Sequence, residues 1–74
     1  MRLYFVWLHN RTDRLDDDVM KVRAASKDKA REVAEQYYQS HRFDIGHIYT
    51  GKEFKEVDPW WHSLMWGHKA VNDA

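Results

Sequence analysis

The sequence predicts an α+β fold: a three-stranded sheet of order 2-1-3 in β-β-α-β-α topology, with one helix packed on the sheet and a Trp-rich C-terminal helix. Three observations predict it. Residues 3–8 form an unbroken apolar run, apolar side chains recur at helical spacing after Ser26, and Asp58-Pro59 opens a second helix carrying three tryptophans. No linker rich in Gly, Ser or Pro and no internal repeat interrupts the chain. Residues 1–74 therefore read as a single domain.

In the run Leu3-Tyr4-Phe5-Val6-Trp7-Leu8 both alternating sets of side chains are apolar. Such a strand belongs at the centre of a sheet, covered on both faces. His9 to Asp18 is polar and reads as a loop. Val19 to Ala25 alternates, with Met20, Val22 and Ala24 on one side and Lys21 and Arg23 on the other. This is a half-buried strand, antiparallel to the first. Ser26 then N-caps a helix, with Asp28 in its first turn, where a carboxylate complements the helix dipole. Ala30, Val33, Ala34, Tyr37, Tyr38 and His41 make its apolar stripe, opposite Lys29, Arg31, Glu32, Glu35 and Gln39.

Phe43 to Thr50 reads as the third strand, with Ile45, His47 and Tyr49 on one side and Gly46, Ile48 and Thr50 on the other. A right-handed crossover through the helix places it parallel to the second strand. Lys52 to Val57 reads as a short polar return. Asp58 supplies the next N-cap and Pro59 the first helical position. Trp60, Trp61, Leu64, Met65, Trp66, His68 and Val71 populate this helix, which Gly67 weakens. It either covers the second face of the first strand or offers its rings to a partner.

Twelve Lys and Arg balance twelve Asp and Glu, so the net charge is zero with His neutral. That excludes a dedicated DNA-wrapping protein and an acidic DNA mimic alike, since each needs an excess of one sign. The balance is uneven along the chain: residues 15–20 carry a net −3 and residues 21–42 a net +3. With no cysteine, neither a disulfide framework nor a thiolate zinc site can stabilise the fold. The 15% of aromatic residues supplies the core instead. The apolar start is too short to span a membrane and lacks an export signal, so the expected compartment is the cytoplasm.

No constellation points to catalysis, a metal or a cofactor. The pairs His41/His47 and His62/His68 are each six apart, whereas helical ligand pairs use i, i+3 or i+4. Asp16-Asp17-Asp18 lacks the alternate spacing, glycine and terminal glutamate of a calcium loop and reads as a solvated turn. Asp18 also discourages a neighbouring chain from adding to the second strand. No nucleophile elbow, P-loop or dinucleotide fingerprint is present.

Binding is the remaining class. Trp60, Trp61, Met65 and Trp66 lie within seven residues and are of types enriched at protein interfaces. The charged loop, with Arg11, Arg14, Asp16, Asp17 and Asp18, and the strand residues Lys21 and Arg23 complete the candidate contacts. An alternative uses Lys21 and Arg23 beside Phe5 or Trp7 as a platform for single-stranded nucleic acid. That platform exists only if the last helix leaves the face open. The chain is expected to be a monomer, or a homodimer through the sheet edges at strands two and three.

The segment DVMKVRAASKDKAREVAEQYYQSHRFDIGHIYTG, roughly residues 19–51, resembles the strand–helix–strand pattern of very small bacteriophage β-β-α-β proteins. Those proteins inhibit host machinery and include short inhibitors of bacterial RNA polymerase and anti-CRISPR proteins. The resemblance implies a non-enzymatic protein that binds and blocks a bacterial host enzyme or nucleoprotein complex. It carries no functional motif and transfers no residue role.

Overall fold

The apolar run becomes the middle strand, β1 (Arg2–Asn10), of a three-stranded sheet. The structure, a computed structural model, describes residues 1–37, 43–68, 70 and 71, without the side chain of Arg14. Tyr38 and His41, expected in the helical stripe, lie outside the described residues. β1 pairs antiparallel with β2 (Asp18–Ala24) and with β3 (Phe43–Thr50), which gives the order 2-1-3. Tyr4, Phe5, Val6 and Leu8 are all buried, so both faces of β1 are covered as its composition requires.

α1 (Lys27–Tyr37) covers one face. Ser26 Oγ accepts from the Lys29 N–H at 3.2 Å and starts the helix. Ala30 and Ala34 are fully buried against Tyr4, Val6, Leu8, Met20, Val22 and Ile48, and their small size lets the helix axis approach the sheet.

α2 (Gly51–Val57) and α3 (Pro59–Met65) cover the other face. The segment expected as a polar return is therefore a helix. Thr50 Oγ1 accepts from the Glu53 N–H at 3.2 Å while Glu53 Oε1 accepts from the Thr50 N–H at 2.8 Å. This reciprocal capping box starts the helix, and its T-x-x-E signature stands in the sequence. Phe54, the one aromatic residue in that polar stretch, is fully buried and stacks on Phe5 with ring centroids 4.7 Å apart.

Two further expectations are corrected. The C-terminal helix stops at Met65 and does not continue to Val71. Bonds from Trp66 N–H to Ser63 O and from His68 N–H to Met65 O tighten its end, and Lys21 Nζ donates to the carbonyls of Trp66 and His68 at 3.3 and 2.9 Å. The chain then returns to β2, where Val71 N–H donates to Lys21 O and Arg23 N–H to Val71 O. In β3, Ile45 packs on the α1 side with Ile48, not with Tyr49. Val6 pairs with Ile48 and Leu8 with Ile45, so two residues, Gly46 and His47, oppose Trp7 alone. This bulge reverses the alternation. Gly46 lets the His9 ring close over the bulge: a Cβ would lie 2.5 Å from that exposed ring, which would have to swing away, and 3.0 Å from Trp7 O.

Candidate functional site

The four residues of the aromatic cluster divide by helical geometry. Met65 is buried, and Trp61 is half-buried, meeting Trp7 edge to face at 4.8 Å. Both belong to the core beneath α3, and Met65 is thereby unavailable as a partner contact. Trp60 and Trp66 are each 72% exposed, and Leu64 and Val57 are exposed as well. Trp60 and Leu64, four apart, share one helix face. The His62 ring, half-buried, lies 5.5 Å from the Phe5 ring and 5.9 Å from Trp66.

The acidic loop is more ordered than a solvated turn. Asp17 accepts from Trp7 Nε1 at 3.0 Å and from the Asn10 N–H at 2.9 Å, and His9 Nδ1 lies 3.1 Å away. The Trp7 bond, then the Asn10 bond, hold its pKa below the ordinary carboxylate value, with His9 adding to them. Asn10, buried at the end of β1, is a second centre. Its Oδ1 accepts from Thr12 N–H, Thr12 Oγ1 and Asp13 N–H, at 2.9, 2.9 and 3.1 Å, and its amide reaches Asp16 at 3.3 Å.

Arg11 is fixed outside the loop by Asp44 of β3, at 2.7 Å from its Nε. Asp18 accepts from the Val19 N–H at the start of β2. Arg14 opens a single 3₁₀ turn, residues 14–16, capped by Asp13 Oδ1, which accepts from the Leu15 N–H at 3.0 Å. Leu15, at the centre of that turn, is 98% exposed.

Lys21 and Arg23 stand opposite Phe5 and Leu3 on the face covered by α2 and α3. Phe5 is sealed beneath Phe54, and the Lys21 ammonium is engaged by the end of α3. The pairing of open ring and base that a single-stranded nucleic acid needs is thus covered on this face.

His9, Asn10, Arg11, Asp17 and Asp44 line an open cleft of about 590 Å³. Its charges pair with one another, which fits a structural role better than an acid–base one. Among the described residues no three His, Asp or Glu side chains gather closely enough to hold a metal ion. Among them, too, no helix is long and apolar enough to cross a membrane.

Sequence reasoning took the loop Arg11 to Asp18 as a candidate contact without singling out Leu15, and missed His9, Asn10 and Asp44. For Leu15 the signal was one apolar residue isolated in the polar run Arg11 to Asp18. For the others it was absent: His9 and Asn10 meet Asp16 and Asp17 only when the loop folds back between β1 and β2, and Asp44 meets Arg11 only when β1 and β3 pair. Comparison with protein families, characterised proteins and solved structures finds no match. Roles are therefore assigned from geometry alone.

Proposed function

We propose that the protein is a non-enzymatic binding module that anchors to another protein through exposed apolar side chains of its C-terminal segment, Trp60 with Leu64 on one flank of α3 and Trp66 at its end. One observation carries this reading. Trp60 and Trp66 stand 72% exposed in the same short segment whose Trp61 and Met65 complete the core. The fold uses half of the cluster and leaves the rest outside. Burying the open part of one such ring in a partner would contribute on the order of 3 kcal/mol before ordering costs. In line with the small phage proteins it resembles, the target would be a bacterial host enzyme or nucleoprotein complex. The mechanism would be steric occlusion, with the aromatic anchors supplying affinity and the charged loop setting register and on-rate.

The test compares the wild-type chain with a Trp60→Ala/Trp66→Ala variant, each immobilised and exposed to bacterial lysate. The variant should keep its circular dichroism spectrum and melting temperature while losing the protein that the wild type retains. Identical retention by a folded variant would overturn the reading.

A further inference from the structure

The loop between β1 and β2 holds a large apolar side chain in water, on backbone tied by several hydrogen bonds. Leu15 is 98% exposed, and its own N–H is bound by Asp13. Asp13 is placed in turn by Asn10 Oδ1, and the Asp16 N–H closes on Asp13 O at 3.1 Å. Asp17 ties the far end of the loop to Trp7 and the Asn10 N–H. A leucine on a flexible loop would turn onto the nearest apolar surface. Here the backbone network holds it out, and little backbone freedom remains to be lost when something covers it.

We infer that Leu15 is a second anchor: a pre-ordered leucine knob, rimmed by carboxylates, that inserts into an apolar pocket with a basic rim on a partner protein. The inference rests on the binding-module reading and adds the partner's chemistry to it. Residues 13–18 carry four Asp against one Arg, and Asp13, Asp16 and Asp18, all within three residues of Leu15, are exposed. Lysines and arginines at the pocket rim complement that charge, and an acidic surface is rejected. An anionic lipid surface is rejected for the same reason. The contact path Asp17–Trp7–Trp61 joins the loop to α3.

The experiment uses the full chain, immobilised and exposed to bacterial lysate, in three forms: wild type, Leu15→Ala and Trp60→Ala/Trp66→Ala. Because the Leu15 side chain is 98% exposed, Leu15→Ala should melt with the wild type. It should nevertheless retain about tenfold less of the same protein that the tryptophan variant loses. A diazirine analogue of leucine at position 15 should cross-link to a peptide of that protein bearing Lys or Arg. Retention by the wild type should also weaken as salt rises from about 50 to about 300 mM.

Asn10→Ala, which frees the loop while keeping Leu15, should fall between wild type and Leu15→Ala. Full retention by Leu15→Ala alongside loss by the tryptophan variant overturns this inference and leaves the binding module standing. Cross-linking to nucleic acid or lipid, or to an acidic peptide, also overturns it. Equal retention by all three forms overturns both.

Discussion

The two faces of the sheet are covered by different means. On one, a single eleven-residue helix lays two alanines on aliphatic side chains: Val6, Leu8, Met20, Val22 and Ile48. On the other, two seven-residue helices are held by rings, with Phe5, Trp7, Tyr49, Phe54 and Trp61 packed together. Isolated helices of two turns are not stable in water, so α2 and α3 depend on their caps and on what they bury. α1 carries its own amphipathic stripe. The contrast shows how a cysteine-free chain of 74 residues builds two cores: small residues bring a long helix close, and large rings bridge the sheet to short ones.

Truncating the central ring should break the contrast most severely. Phe54→Ala removes a fully buried side chain that touches Phe5, Trp7, Tyr49 and His62. It should cost about 3–5 kcal/mol in urea unfolding and change the fluorescence of Trp7 and Trp61. A loss below ~1 kcal/mol would mean that α2 is held by its cap rather than its ring.

The opposite change tests the other face. Ala34→Leu forces a larger side chain between α1 and the sheet and should cost about 1–3 kcal/mol, leaving tryptophan fluorescence nearly unchanged. If it proved more costly than Phe54→Ala, the alanine face would be the tighter core.

The smallest effect belongs to the cap. The Thr50 N–H, then the Lys27 ammonium 3.2 Å away, pull the Glu53 pKa down to about 2. A depressed carboxylate contributes stability above its ordinary value, 4.5, and loses that contribution as pH falls towards about 2. Glu53→Gln should therefore unfold like wild type near pH 2 and be slightly less stable at neutral pH, with a shallower acid slope between. The slope left in this variant includes Asp17, whose pKa is also lowered.

The same contrast explains what could be read in advance. β1, β2 and α1 follow from apolar periodicity, and the start of α3 follows from Asp58-Pro59; both signals are local. α2 was hidden because Lys52, Glu53, Lys55 and Glu56 look solvated, although Thr50 and Glu53 already spelled its cap. The end of α3 is less legible, because the carbonyls beyond it are taken by Lys21, 45 residues from Trp66 in sequence.

The facing of Ile45 was not legible either, because a bulge is a property of two strands and the alternation in β3 alone looks regular. At the candidate site, opposite directions for Trp60 and Trp61 follow from helix geometry. The order of the acidic loop did not follow, since Asp17 becomes a hub only when Trp7 and His9 are brought to it.

The bulge in β3 has a consequence for inheritance. It places one more residue between Ile45 and Ile48 than the ladder opposite needs. Loss of a single codon at 46 or 47 would leave Ile45 and Ile48 facing α1, with the strand merely straightened. A codon lost between Ile48 and Thr50 would instead turn part of the strand inside out. A bulge generally bends and twists its strand, and a twisted edge is a poorer template for another chain's strand. Shedding it would keep Ile45 and Ile48 in the core while removing a local distortion of an edge strand.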